Sequence, residues 1–168
     1  MSLTAQIVQH FKAFYYGGNY TGVNLKDTLI GLTWEQATTK VDSLNTIAAL
    51  VFHMNYYVTA VVNVLKGNRL DASDKYSYNL PVIKSQEDWM RLVHKVKADV
   101  DELIVLVEKM PESKLWETFE DEKYGNYYRN LTGIIEHNHY HLGQIVMIKK
   151  MILHAKERGG IIPPSNYP

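Results

Sequence analysis

Apolar residues recur at spacings of three and four through four separate stretches of this chain. No strand-like alternation runs between them, so the sequence is confined to packed helices. The clearest stretch runs from about Ser43 to Lys66, where Ile47, Leu50, Val51, Met54, Val58, Val61, Val62 and Leu65 form one stripe. Another opens at Ser85, a suitable N-cap, and carries Trp89, Leu92, Val93, Val96, Val100, Leu103, Ile104 and Val107 before Pro111 ends it. An N-terminal helix is expected from Leu3 to Tyr15, stopped by Gly17-Gly18. A C-terminal one is expected from near Tyr127 to Lys156, through Ile134, Ile145, Ile148, Met151 and Ile152. Gly159-Gly160 and Pro163-Pro164 are its stop signals. In the connector from Asn19 to Asp42, Asn24 and Thr33 are placed to cap short helical turns. Four amphipathic helices in one small domain predict an all-α four-helix bundle.

The connection between the second and third long helices bears on topology. Residues Asn68 to Lys84 read as a loop, and at roughly 3.3 Å per residue they can reach about 55 Å. The preceding helix spans only about 36 Å at 1.5 Å per residue. The loop is therefore long enough to cross the bundle, which allows these two helices to run parallel.

Composition sets the outer limits. With 168 residues, one domain over 1–168 is the natural reading, and a 46% hydrophobic, 21% charged chain can bury a core. Eighteen basic and 18 acidic residues give a formal net charge of zero, which offers no electrostatic reason to expect nucleic acid or an anionic membrane as partner. The N-terminus lacks the charged flank and apolar run of a signal peptide, and no uninterrupted apolar run reaches the length of a spanning helix. The chain has no cysteine, which removes thiolate ligands and nucleophiles and suits a reducing compartment. A soluble, cytoplasmic protein is expected. The final segment, IIPPSNYP, reads either as a free tail or as a docking arm.

Seven histidines are present, and three crowd into EHNHYHLGQ. On a helix, residues four apart are nearly superposed, whereas residues two apart point about 200° away from each other. His137 and His141 can therefore grip one ion, and His139 must look elsewhere. The best third ligand is His53, set mid-helix between apolar neighbours, where a lone imidazole is costly to bury. His10, His94 and His154 are expected to be exposed. Three imidazoles with an open fourth position suit zinc, nickel or a similar divalent ion. A hydrogen-bonded core histidine at 53, with an unrelated pair at 137 and 141, explains the same residues without metal.

Two rival motifs fail. Asn138 stands where a His-Glu-x-x-His metalloprotease needs its glutamate, and Glu136 with His139 gives only one copy of the di-iron Glu-x-x-His pattern. Asn130 and Gln144, each seven residues from His137, are candidates to orient a ligand or a metal-bound water. Gln144 could equally serve as a contact between helices or subunits. Gly143 is expected to permit close approach of a neighbouring helix, and Tyr56 and Tyr57 to pack beside His53.

These residues resemble a known family. LVFHMNYY around His53 and HNHYHLGQI around His137 and His141 look like the ligand motifs of the DinB/YfiT-like superfamily, four-helix bundles that hold a metal with three histidines. YTGVNLKDTLIGLTWEQAT, LKGNRLDASDKYSYNLP and EDWMRLV extend the resemblance over nearly the whole chain, toward a DinB-like branch of unassigned function. The resemblance implies a crossover between the second and third long helices, a homodimer, and a site at His53, His137 and His141. It also implies chemistry on a small molecule, either thiol-group transfer with a low-molecular-weight thiol or hydrolysis, through a metal-activated nucleophile. The alternative is a non-catalytic dimeric bundle whose metal site is structural or sensory.

Overall fold

A computed structural model describes residues 1–157, which fold into six α-helices and three short 3-10 turns, with no β-strand among the described residues. The helices are α1 (Leu3–Tyr16), α2 (Leu25–Leu29), α3 (Trp34–Thr38), α4 (Ile47–Leu65), α5 (Gln86–Lys109) and α6 (Tyr127–Glu157). The expected stop signals at Gly159-Gly160 and Pro163-Pro164, and the tail, lie outside the described residues.

Local chemistry starts the helices where the sequence indicates. Asn24 accepts the Asp27 amide to cap α2, and Thr33 forms a reciprocal capping box with Gln36 at α3. Ser85 caps α5 by accepting the Asp88 amide. The start of α4 departs from expectation: it begins at Ile47, not Ser43. Thr46 accepts the Ala49 amide as the cap, while Asp42 at φ 49° and a Leu44-to-Val41 hydrogen bond turn the chain just before it. Apolar periodicity could not register that turn, because Leu44 keeps the helical spacing with Ile47.

Packing follows the apolar stripes. α4 lies against α5 and α6, α1 lies against α5 and α6, α2 packs on α1 and α6, and α3 packs on α4 and α5. Phe11, Phe14, Leu50, Met54, Trp89, Leu103, Leu131 and Ile145 meet in one fully buried core. Each such side chain contributes about 1.5–3 kcal/mol by leaving water. Met151 is an exception to the expected α6 stripe and is 41% exposed, while Ile148 and Ile152 on either side of it stay buried at 2% and 4%. α4 carries no formal charge along its length and is long and apolar enough to cross a membrane, yet 67% of its apolar window is buried inside the fold. Its two polar interior residues, His53 and Asn55, face opposite neighbours.

Candidate metal centre

α4 and α6 pack together, and their middles bring three imidazoles to one point. The His137 Nε2 lies 3.1 Å from the Nε2 of His53 and 3.1 Å from the Nε2 of His141. One ring nitrogen has either one hydrogen or one lone pair, so it cannot hydrogen-bond to both neighbours at once. A shared cation satisfies all three lone pairs together. Two nitrogens about 2.05 Å from one zinc ion stand about 2.9 Å apart at a right angle and about 3.3 Å apart at a tetrahedral angle. The observed spacing falls between these, and this three-histidine group could hold a metal ion.

The protonation states favour that reading. Gln144 places its carbonyl oxygen 2.7 Å from the Nδ1 of His141. That oxygen only accepts, so Nδ1 carries the hydrogen and Nε2 turns its lone pair toward the other rings. Gln144 is itself held by its amide, which donates to the Tyr140 hydroxyl at 3.2 Å. His53 is only 7% exposed; burial first, then the neighbouring rings of His137 and His141, push its pKa down to about 4, against a small opposing pull from Ser77 and Asp74. His137 is also shifted down, by burial and by His141. Both rings are therefore neutral at pH 7, the form that binds metal. The Nδ1 atoms of His53 and His137 are buried with no hydrogen-bond partner, so only His141 has its outer nitrogen tethered.

Aromatic rings wall the cluster. Tyr78 stacks on His53 with centroids 4.0 Å apart and planes at 11°, and Tyr57 stands edge-on to both His53 and His137. The Tyr57 hydroxyl donates to Asp74 at 2.8 Å, and the Tyr56 hydroxyl accepts the Ser73 amide at 2.8 Å. Tyr56 and Tyr57 thus do more than pack: they tie the 66–85 connection to α4 beside the histidines. A cavity of about 620 Å³ opens at His137, with Tyr57, Asp74, Arg129 and Asn130 on its walls.

Searches against protein-family models, curated proteins and solved structures find no match to this chain.

The remaining sequence expectations divide. His139 turns away as expected, pointing Nδ1 at the Ile135 carbonyl and its ring edge at Phe14. His10, His94 and His154 are exposed. Asn130 meets none of the three histidines by hydrogen bond; its amide goes to the Tyr124 and Asn126 carbonyls, both at 2.9 Å. It reaches the site only as part of the cavity wall. Gly143 was expected to admit a neighbouring helix, but it is exposed and a Cβ there would meet nothing within 4 Å. It lines an open cavity with Tyr140 and Met147 of α6 and with Leu44 and Leu50 around the start of α4. Sequence reasoning missed Tyr78 and Asp74, since their loop has no periodicity from which to read a direction. Tyr140 carried a usable signal, its spacing of four from Gln144.

Proposed function

We propose that the protein is a metal-dependent enzyme acting on a small molecule, in which His53, His137 and His141 hold one zinc or nickel ion. The observation that carries this reading is the convergence of three imidazole nitrogens, at 3.1 Å spacings, on a group with no fourth ligand among the described residues. A structural site is normally closed by four protein ligands, whereas a catalytic one keeps a position open. An ion held this way supplies Lewis-acid activation, bringing the pKa of a water or thiol near neutrality. The chain's own residues do the rest. Gln144 fixes the His141 tautomer, burial keeps His53 and His137 unprotonated, and Tyr78 holds the His53 ring by stacking. Asp74, positioned by the Tyr57 hydroxyl, is the carboxylate on the cavity wall and stands ready to take a proton from a bound substrate.

The same proposal includes membership of the DinB/YfiT-like superfamily, supported by the motifs around the three histidines and by the all-α build. It includes a four-helix bundle of α1, α4, α5 and α6 with a crossover between α4 and α5. Support comes from pairings that advance together along both helices: Asn55 and Thr59 bond to Asp99, and Lys66 pairs with Glu102. A homodimer is supported by the exposed apolar stripe of Tyr140, Met147 and Met151 on α6, with Leu44 beside it. A cytoplasmic setting rests on composition alone.

The rival reading, a structural or sensory metal site, is separated by access to the ion. In a cobalt-substituted form, azide and small thiols are expected to shift the visible spectrum. A spectrum indifferent to both would favour the rival.

A further inference from the structure

Along α6, Arg129, Gly133 and His137 follow one another at intervals of four residues and line the same cavity. Eight residues of helix separate Arg129 from His137 by about 12 Å. Between them the helix surface is bare, because Gly133 has no side chain and a Cβ built on it would meet nothing within 4 Å. The cavity therefore has a strip of open floor leading from the histidines to Arg129. Its middle walls are apolar, from Val61, Leu70, Phe119 and Ile134.

The two ends differ in charge. Asp74 lies at the histidine end, held by Tyr57. Arg129 lies at the other end, and the ion pairs among the described residues join other cations. Its stem is also seated. Gly125 adopts φ 74°, and a Cβ at that position would come within 2.9 Å of the Arg129 Cδ. The missing Cβ lets the arginine stem lie back over the turn that precedes its helix. Arg129 is exposed at the rim of this partly apolar cavity, where its guanidinium could grip an oxyanion with two parallel N–H groups.

We infer that the substrate of this site is an elongated small molecule with an apolar middle and a terminal oxyanion, carboxylate or phosphate, bound by Arg129 while its reacting end lies at His137. This rests on the metal reading above, and the test separates the two. The probes are 6-mercaptohexanoate, 6-mercaptohexyl phosphate and hexanethiol, titrated into the cobalt-substituted protein and followed by the thiolate-to-metal absorption. The anionic thiols should bind roughly tenfold tighter than hexanethiol, the gain of one charge-assisted bidentate contact. Whichever anion binds tighter identifies the head group. Arg129→Met should remove that preference while leaving hexanethiol affinity and metal content unchanged. Gly133→Leu, whose Cβ meets no neighbour and whose side chain occupies the open floor, should weaken all three probes and still retain one metal per chain. If hexanethiol binds as tightly as the acids, or Arg129→Met keeps the preference, the oxyanion inference is wrong and the metal site stands. If no thiol perturbs the spectrum at all, the open-site reading fails and this inference fails with it.

Discussion

His53 and Asn55 stand two residues apart on α4, look in opposite directions, and enter two buried polar clusters that are satisfied in opposite ways. On the α5 side, the Asp99 carboxylate collects donors from Asn55 at 2.7 Å, Thr59 at 2.6 Å and Lys95 at 2.7 Å. The carboxylate there is saturated with donors, although the Asn55 Oδ1 is buried without a partner of its own. On the α6 side, three rings converge with no carboxylate among them, and their central nitrogens cannot satisfy one another. A polar cluster that closes on itself is doing structural work. One that stays short of a partner, with a cavity beside it, could hold a metal ion.

That contrast can be broken by mutation. The largest effect should come from His137→Ala, which removes the central ligand and should abolish stoichiometric metal, a loss of at least about a hundredfold in affinity, measured by competition with a chromophoric chelator. Retained metal would mean that the rings do not act together. Next, Gln144→Leu should cost about 10–100-fold in metal affinity, since His141 loses the acceptor that fixes its tautomer, with little change in unfolding midpoint. On the other side of α4, Asp99→Ala should lower stability by about 1–3 kcal/mol in denaturant, because buried donors lose their acceptor, while metal content stays unchanged.

The division between the clusters was only half legible in the sequence. Helical spacing placed His137 and His141 on one face and turned His139 away. An imidazole in the middle of an apolar helix marked His53. Gln144, three residues from His141, was visible as a candidate for the same reason. What periodicity cannot convey is which residues of a loop return to a helix, so Tyr78 and Asp74 were invisible. Nor can it pair distant positions: Asn138, fully buried, donates to the Tyr15 hydroxyl at 3.1 Å across α1 and α6. Within the chain Gly143 faces open space; a glycine shows that space is needed without showing on which side of the helix. The same limit applies to Asn130, whose amide is taken by carbonyls of its own helix entrance.

Two smaller effects sharpen the comparison. With the His53 pKa depressed from about 6.5 to about 4, the unfolded chain takes up a proton that the folded chain refuses. Stability of the metal-free protein is therefore fully present above about pH 6.5 and falls as the pH drops toward 4. His53→Gln should flatten that slope in denaturant titrations across the same range; an unchanged slope would place its origin elsewhere. The smallest effect belongs to His139→Ala, which should cost about 1 kcal/mol or less through lost contact with Phe14 and leave metal content untouched.

The most direct test is elemental analysis of untagged protein purified without added metal, expressed as ion per chain. Close to one equivalent of a single divalent first-row metal, removed by chelator and restored on return of the ion, is the expected result. Repeated preparations that carry no metal and take none up would contradict the account and leave three histidines that merely share a core.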